Sequence, residues 1–548
     1  MTSGAVAVDA GDDIRDLAQA AVWGLVRTAQ TEHPDRFVLV DLPGHGGHDD
    51  STADLPAALA TGEPQLALRA GAAYAARLAR VPLSAPERRP GWDPQGTVLI
   101  TGGTGTIGSA VAEPLARTRQ ASRLLLVSRR GPDAPGAAEL RGRLAELGAD
   151  ARVVAADLTD PDAVRRLVAA DPDHPLTGVV HAAGALDDAM IRSLTPGHVA
   201  RVWAAKAAAA HHLHEATAGL RLGMFVLFSS VAATLGTSAQ ANYAAANAYL
   251  DALAAHRRAR GLPGLSIAWG LWAEISGLTG KLTEADLARF ARLGIKPLPT
   301  DEAIALFEAA RRDGRPALVA LGFDASAPAG RPPGDLPAPL RDFASAPGAS
   351  TSGTSAPGAS GHRADAPGER RRDWSARLRD MPGPERRKAL LTLVRGNAAT
   401  VLGHTGTGAV PADASFKSLG FDSLTAVELR NRLAAATGLR LHTGLVFDYP
   451  EVAVLADHLL ERLAPDTAAG PAPDPAAPSD ADELTDLEDA LTAAHERDAD
   501  AVTARLEALL ARWKAAHRAG PEDIAAADRL RDADAGQILD FIDNELGL

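Results

Sequence analysis

Short apolar runs alternate with helical segments over residues 97 to 270, and this alternation is the strongest pattern in the chain. Each run is nearly continuous in apolar residues and bounded by turn residues, which is typical of a buried parallel strand. The runs span 97–101, 123–128, 151–157, 177–184, 224–230 and 265–270. The segments between them are long enough for crossover helices. The pattern predicts an α/β domain with a doubly wound, Rossmann-type parallel sheet.

A second α/β piece precedes this domain. A helical pattern near residues 13–30 is followed by two strand-like runs, RFVLVDLP and PQLALRAG. Because this piece has no glycine-rich turn and no cluster of polar residues, we expect a structural role for it.

Two segments rich in Ala, Pro, Gly and Ser interrupt the chain, and such segments bury too little apolar surface to fold. They separate helical regions from the α/β part. We therefore predict a structural subdomain at 1–90, a catalytic subdomain at 91–325, a flexible linker at 326–374, a small helical domain at 375–464, a second linker at 465–480 and a helical tail at 481–548.

The two C-terminal parts are predicted to be all-α. The domain at 375–464 begins with an amphipathic helix over 384–403, and its further helical patterns indicate a small four-helix bundle. In the tail, leucines at 484, 487 and 491 form an apolar stripe that predicts helix association in a homodimer. The final stretch, AGQILDFIDNELGL, is an apolar and acidic helix suited to a groove flanked by basic residues.

Charge and composition exclude several classes of function. The net charge of -13 argues against a nucleic-acid partner, because phosphate binding needs a basic face. No apolar stretch reaches the roughly 20 residues that span a bilayer, which predicts no membrane contact. The first residues lack the basic and apolar regions of a signal peptide. With no cysteine for disulfides, we expect a cytoplasmic protein.

No metal site is predicted. Three histidines at 211, 212 and 214 form the densest group of candidate ligands. Neighbouring positions do not share a helical face, and no carboxylate pattern completes a site. We interpret these histidines as surface or packing residues.

A glycine-rich turn follows the first strand of the α/β domain and opens a helix. Such a turn lets the backbone approach a pyrophosphate, whose charge then lies near the exposed N–H groups of the helix. The predicted contacts are Gly102, Gly103, Thr104, Gly105, Thr106, Ile107 and Gly108.

The end of the next strand distinguishes the two nicotinamide cofactors. An NAD site usually has an acidic residue there, whereas NADP needs a cation for its 2′-phosphate. The residues present are Ser128, Arg129 and Arg130, which favour NADPH over the alternative of a solvated basic turn. We also assign cofactor contacts to Asp157, Leu158, Ala182, Ala183 and Gly184, with Asp157 at the adenine.

A tyrosine and a serine form the candidate catalytic pair. Tyr243 lies in a helical segment, and Ser230 ends a strand thirteen residues earlier. A phenol can protonate a carbonyl oxygen while hydride reaches the carbon, and a serine hydroxyl can hold the same oxygen. Asn247 follows Tyr243 by four residues and so shares its helical face.

These motifs together resemble the ketoreductase domains of modular type I polyketide synthases of actinobacterial type. The resemblance rests on TGGTGTIG, HAAG, FSS and YAAANA, and it covers about residues 10 to 325. It implies a short-chain dehydrogenase fold and a fourth catalytic residue, Lys206, on an earlier helix. It also implies that the first strands of the structural subdomain are missing, so the chain begins inside a longer natural protein or was cut from one.

The resemblance implies a reaction and a stereochemical outcome. Hydride would pass from NADPH to a β-ketoacyl thioester, with Tyr243 as proton donor, Ser230 orienting the carbonyl and Lys206 lowering the tyrosine pKa. Asn247 would support this network. The sequence Leu186-Asp187-Asp188 resembles the motif of ketoreductases that make D-configured hydroxyls, although a solvated loop is the alternative.

The helical domain at 375–464 resembles an acyl carrier protein. Its motif Asp-Ser-Leu contains Ser423, which local chemistry alone would make a helix N-cap. The resemblance instead implies that Ser423 accepts 4′-phosphopantetheine from a phosphopantetheinyl transferase. The tail at 481–548 resembles a C-terminal docking domain, which implies handover to the N-terminal docking domain of the next polyketide synthase.

We therefore expect a reductase that acts on a thioester bound to its own carrier. The alternative is a carrier and docking scaffold whose reductase is inactive, and a fatty acid synthase fragment is a weaker third reading.

Overall fold

A computed structural model describes residues 1–9, 12–34, 36–43, 54–82, 95–274, 284–328, 336–344, 374, 377–378, 381–402, 404, 406–421, 423–442 and 444–463. The chain divides into two compact units, Met1–Pro465 and Asp466–Leu548, and the described residues belong to the first. The predicted tail at 481–548 and the linker at 465–480 lie outside the described residues.

The central element is a seven-stranded sheet in which every strand pairs in parallel. Along the chain the described strands are β1 (Thr2–Ser3), β2 (Leu39–Leu42), β3 (Gln65–Arg69), β4 (Ala72–Ala75), β5 (Thr97–Thr101), β6 (Arg123–Ser128), β7 (Asp150–Ala155), β8 (Leu176–His181), β9 (Met224–Ser230), β10 (Leu265–Trp269), β11 (Ile295–Lys296), β12 (Ala317–Ala320) and β13 (Gly322–Phe323). The order in the large sheet is β12-β10-β9-β8-β5-β6-β7. The order reverses beside β5, which is where ligands bind in open α/β sheets.

Helices cover both faces of this sheet, as crossover connections between parallel strands require. The helices of the two α/β subdomains are, in chain order, α1 (Leu17–Glu32), α2 (Leu55–Leu59), α3 (Thr106–Arg117), α4 (Ala137–Glu146), α5 (Pro161–Val168), α6 (Pro196–Trp203), α7 (Ala209–Thr217), α8 (Val231–Leu235), α9 (Ala241–Ala259), α10 (Glu284–Arg292) and α11 (Thr300–Arg312). A π-helical turn at Ala204–Ala208 joins α6 to α7. Leu99 and Ile100 of β5 are fully buried on opposite faces of the sheet, each in a separate core cluster.

The N-terminal subdomain is a smaller sheet of order β1-β2-β3-β4. Its buried Asp41 pairs with Arg69 at 2.7 Å and accepts a hydrogen bond from the Thr2 hydroxyl at 2.6 Å. Strand β1 is short and pairs in parallel with β2.

Helix α1 connects this subdomain to the catalytic one by packing along α9. The contact is close because Gly24 has no side chain: a Cβ atom there would lie 2.2 Å from the carbonyl oxygen of Ala244. Thus α1 supports the helix on which Tyr243 and Asn247 lie.

The carrier domain is a helical bundle formed by α12 (Gly383–Val401), α13 (Ser423–Thr437), α14 (Leu445–Asp448) and α15 (Val452–Leu463). Its core includes fully buried Leu390, Val394, Leu429, Leu433 and Leu455. The predicted four-helix layout is thus present. Within the described part of the chain, no helix combines the length and apolar character needed to cross a bilayer.

The predicted strands agree closely with the observed ones, and three of them, β5, β6 and β9, have the predicted bounds. Strand β12 was not predicted. It is an apolar run of only four residues at the edge of the sheet, where its first residue is exposed and the next two are half-buried.

Replacing Gly24 with alanine is expected to destabilise the reductase part, because a methyl group must displace the backbone of α9. Overpacking of this kind costs about 1–3 kcal/mol. Thermal unfolding of the full chain, followed by circular dichroism, should show a lower midpoint for the reductase transition.

The same substitution at Gly142 in α4 is the control, since a Cβ atom there meets nothing within 4 Å. Gly142→Ala is expected to stabilise its exposed helix by roughly 1 kcal/mol. Equal effects of the two variants would contradict the packing argument.

Candidate active site

A glycine loop joins β5 to α3 at the point where the strand order reverses. Gly102 has a positive φ of 65°, and a Cβ atom there would come within 3.1 Å of the Ala183 backbone. At Gly108 a Cβ atom would lie 2.3 Å from the Gly102 carbonyl oxygen. Glycine is therefore required for the loop to fold tightly beside the segment that follows β8.

The loop leaves the start of α3 open to an anion. Gly105 occupies the N-cap position and provides no side-chain cap. The first N–H groups of a helix have no intrahelical acceptor, and they carry the positive end of its dipole. Exposed Thr106 begins the helix, and half-buried Thr104 and Ile107 line the same turn.

Two exposed arginines lie where the next strand ends. The Ser128 hydroxyl accepts a hydrogen bond from the Gly131 N–H at 3.0 Å, which closes the turn that carries Arg129 and Arg130. Across from them, exposed Asp157 accepts bonds from the Thr159 backbone and hydroxyl; these bonds, with the Arg129 charge, lower its pKa.

These residues fit NADPH. The glycine loop provides a cradle without side chains for the pyrophosphate, and the two arginines provide free cationic side chains for a 2′-phosphate. Leu158 differs from the other predicted contacts, because its side chain is buried in the core against residues such as Val164 and Leu167. The side chain of Leu158 therefore packs in the core beneath the predicted cofactor site and does not face that site.

Lys206 is the centre of the catalytic group. The π-helical turn places it, 4% exposed, between β9 and α9. Its ammonium donates to the Phe228 carbonyl and to the Asn247 side-chain oxygen, both at 2.8 Å. Gly184 gives it room, since a Cβ atom there would lie 2.9 Å from the lysine Cε.

Tyr243 lies beside this lysine. The Lys206 nitrogen is 5.2 Å from the centre of the tyrosine ring, and the Asn247 amide donates to the Tyr243 carbonyl at 2.8 Å. Burial raises the pKa of Tyr243, while hydrogen bonds with Asn247 and Ser230 act in the opposite direction. The structure thus brings the four predicted catalytic residues together.

Lys206 was expected to be charged and so to lower the pKa of Tyr243, but the structure shows that its own pKa is shifted. Burial lowers the pKa of Lys206 itself to about 7, and the effect is opposed by the charge of Asp251. The lysine is therefore partly neutral near pH 7, and its effect on Tyr243 depends on its own protonation.

A histidine that sequence reasoning did not assign holds the lysine backbone. The Ala183 N–H donates to the Thr101 hydroxyl at 3.1 Å, and that hydroxyl contacts His181 Nδ1 at 2.8 Å. His181 Nε2 lies 3.0 Å from the Lys206 carbonyl, to which it must donate because a carbonyl only accepts. Burial, the largest cause, lowers the His181 pKa to about 3, which keeps the ring neutral.

Asp251 is a second residue that the sequence did not single out. It lies two turns after Tyr243 and one turn after Asn247 on α9. Its buried carboxylate accepts a hydrogen bond from Ser266 at 2.6 Å, and burial raises its pKa to about 6. The spacing of four residues from Asn247 was the signal available in the sequence.

The predicted stereocontrol loop is fixed to the segment before α9. Asp187 pairs with Arg201 at 2.5 Å, and its carbonyl accepts from Asn242 at 2.8 Å. Exposed Asp188 accepts from Gln240 at 3.0 Å, and half-buried Leu186 precedes it. This loop is therefore bonded to the residues just before Tyr243, and the charge of Asp188 acts on that tyrosine.

The remaining predicted residues are also located. Ser423 is the first residue of α13, and Asp422 lies outside the described residues. The three neighbouring histidines point to separate partners: His211 contacts the Tyr249 hydroxyl, His212 the Leu158 carbonyl and His214 the buried Arg257. Each of the three therefore has a partner within the reductase part.

Three family models match separate parts of the chain. A ketoreductase (KR) domain matches residues 96–274, and a phosphopantetheine attachment site matches residues 392–459. Residues 1–78 match the Rossmann fold domain of the polyketide synthase extender module SpnB.

Curated relatives extend this similarity over nearly the whole chain. The spectinabilin polyketide synthase system protein NorA' of Streptomyces orinoci is 48% identical over 95% of this chain, and polyketide synthase GfsA of Streptomyces halstedii is 46% identical over 93%. The chain spans only 14% and 7% of their respective lengths.

Solved structures match the reductase part. An A-type ketoreductase from a modular polyketide synthase has 43% identity and a TM-score of 0.55, covering 59% of this chain and 68% of that one. The ketoreductase from the first module of phoslactomycin biosynthesis in Streptomyces sp. HK803 has 40% identity and a TM-score of 0.53, covering 62% and 76%.

The fold and the site define a reductase of the short-chain dehydrogenase type, followed by a carrier bundle. The chain belongs to the modular type I polyketide synthases, of which it carries a ketoreductase and an acyl carrier domain. Its enzyme class is therefore an NADPH-dependent reductase of β-ketoacyl groups, and its carrier domain uses covalent 4′-phosphopantetheine.

The pKa of Lys206 gives the reduction a pH dependence. Below about pH 7 the ammonium is charged, and above it the charge is lost. If the positive charge assists Tyr243, kcat/KM for a free β-ketoacyl thioester is expected to fall as pH rises through about 7. Asp251→Asn removes the opposing negative charge, so the fall should move to lower pH.

Asp162→Asn is the control for this pH profile, because Asp162 is exposed and pairs only with nearby arginines on α5. Its profile should match that of the unmodified chain. If Asp251→Asn does not shift the pH profile of kcat/KM, the assigned interaction between Asp251 and Lys206 is wrong.

Proposed function

We propose that this reductase acts on a β-ketoacyl thioester held on Ser423 of its own chain and leaves a D-configured β-hydroxyl. The observation that carries the catalytic part is the buried Lys206–Asn247 contact beside Tyr243. Burial of an ammonium group disfavours its charged form, so a lysine is rarely buried unless it has a function.

NADPH would supply the hydride, and the glycine loop with Arg129 and Arg130 would hold it. In our mechanism Tyr243 donates a proton to the carbonyl oxygen as that oxygen gains negative charge. Its raised pKa keeps the phenol protonated until that moment. The Ser230 hydroxyl holds the same oxygen, and charged Lys206 stabilises the phenolate that remains.

The alternative of a scaffold with an inactive reductase would not need this arrangement. A degenerate site could lose the Asn247 contact or the histidine that fixes the Lys206 backbone without loss of fold. Both contacts are present at hydrogen-bond distance. We therefore favour the active enzyme.

We propose Ser423 as the phosphopantetheine attachment residue, since it begins α13 within the matched attachment domain. The helix N-terminus would lie close to the phosphodiester, which its dipole favours. A phosphopantetheinyl transferase would act on this residue.

The first experiment loads the full chain with a β-ketoacyl pantetheine arm through such a transferase and follows NADPH oxidation in a single turnover. The unmodified chain should gain the mass of the arm and oxidise NADPH. Tyr243→Phe should load normally but react about 10²–10⁴-fold more slowly, because it loses the proton donor.

The matched variant Ser423→Ala should gain no mass yet still reduce a free thioester. Failure of the unmodified chain to oxidise NADPH with either substrate would favour the scaffold. Loading of Ser423→Ala would contradict the attachment site.

The stereochemical proposal rests on Leu186-Asp187-Asp188, whose sequence resembles the motif of ketoreductases that make D-configured hydroxyls. The similar structures include both A-type and C2-type ketoreductases, so overall similarity does not distinguish the outcomes. Chiral chromatography of the released β-hydroxy acid is expected to give the D-isomer. An L-product would contradict the assignment.

From the sequence pattern at 481–548 we also propose a homodimer that passes its product to the N-terminal docking domain of another polyketide synthase. These residues lie outside the described ones, so their apolar stripes and acidic end carry the proposal. Sedimentation of the chain with and without this tail tests it, and an unchanged mass would contradict it.

A further inference from the structure

The carrier helix α13 contacts the C-terminal end of reductase helix α1. Arg430 donates to the Glu32 carbonyl at 2.8 Å, and the Asn431 amide donates to the Thr31 carbonyl at 3.0 Å. Arg430 is only 7% exposed. These bonds therefore join a helix of one domain to the last turn of a helix in another.

The end of α1 suits such a partner. The last carbonyls of a helix have no intrahelical donor and carry the negative end of its dipole, which cations stabilise. Helix α1 has no basic residue of its own in its last turn. Arg430 from the carrier thus supplies a charge that the reductase helix lacks.

In a second contact the reductase provides the arginine and the carrier provides the helix end. Arg292, the last residue of reductase helix α10, donates to the Thr400 carbonyl near the end of α12 at 2.9 Å. It also pairs with Glu428 of α13, and both side chains are 20% exposed. Each domain therefore provides an arginine to the end of a helix in the other.

The contacted residue Glu32 also holds two backbone segments next to the active site. Its carboxylate accepts hydrogen bonds from the backbone N–H groups of Ile191 and Ala239, both at 2.8 Å. Ile191 follows the loop of Asp187 and Asp188, and Ala239 precedes Tyr243 by four residues. The carrier thus contacts the reductase at a residue that fixes both segments.

The same helix carries the attachment residue. Ser423 precedes Arg430 by seven positions, or about two helical turns, so both positions share one side of α13 at about 10 Å along its axis. When Arg430 holds the carrier on the reductase, the side of α13 to which the acyl arm would be attached therefore faces the reductase.

We infer that Thr31, Glu32 and Arg292 form a docking surface, here called the α1–α10 surface, on which this chain's own carrier delivers its thioester. The inference rests on the proposed attachment at Ser423. The contacts are few and polar, and the tether makes such weak contacts sufficient by raising the effective concentration of the carrier.

The kinetic test compares two substrates in the full chain: a β-ketoacyl group loaded on Ser423 and a free β-ketoacyl thioester. Arg430→Glu should slow single-turnover reduction of the loaded group about tenfold or more, because it removes a charged hydrogen bond at a helix end and inverts the charge. Reduction of the free thioester should stay within about twofold, since the active site is unchanged. Arg440→Glu, an exposed arginine of the same domain, is the control and should change neither rate.

Charge exchange tests the second contact. Arg292→Glu alone should slow single-turnover reduction of the loaded acyl group. Its combination with Glu428→Arg should restore much of that rate. Equal losses with both substrates, or no loss with the loaded one, would overturn the docking surface. Because the free thioester reports the reductase and the mass gain reports Ser423, failure of the proposed function would be seen separately.

A cross-link provides a readout that does not depend on activity. The chain has no cysteine, so Arg292→Cys with Glu428→Cys introduces the only two thiols. A short bismaleimide should join them within one chain, while the pair Arg292→Cys and Arg440→Cys should react less. A link formed only between two chains would overturn the assignment of this surface to the chain's own carrier.

Discussion

The packing of α1 against α9 is the contact on which the rest of the molecule depends. It is possible only because Gly24 leaves room for the α9 backbone at Ala244. Through it, a subdomain without catalytic residues fixes the helix that carries Tyr243 and Asn247. The same helix α1 ends at Glu32, whose carboxylate holds the backbone at Ile191 and Ala239. One element therefore supports both the catalytic helix and two segments next to it.

The electrostatics of the site follow from this enclosure. A buried lysine loses hydration, which lowers its pKa, and the fold compensates with two oxygen acceptors and the charge of Asp251. His181 remains neutral in the same surroundings, so it can donate to the Lys206 carbonyl without adding charge. Burial thus acts in two useful directions: it keeps Tyr243 protonated and keeps Lys206 sensitive to nearby charges.

The sequence predicted the parallel sheet well because its strands are buried on both faces and appear as continuous apolar runs. Position along the chain pointed to Ser230 and Asn247 beside Tyr243, whereas Lys206 came only from the family resemblance. The sequence could not predict the role of His181, Asp251 or Glu32. Their partners are backbone groups or side chains distant in the chain, and only the folded topology brings them together. The tail at 481–548 stays a prediction from pattern.

A reductase that serves a tethered carrier faces a constraint that a free enzyme does not. Its carrier must bind, yet it must also leave, since a carrier held tightly could not accept or pass on an acyl group. Few polar contacts at helix ends meet this need, because the tether raises the local concentration of the carrier. Arg430 contacts the backbone carbonyl of Glu32, whereas the carboxylate of that residue holds the segments at Ile191 and Ala239. The docking contact therefore uses a different group of Glu32 from the one that fixes these segments.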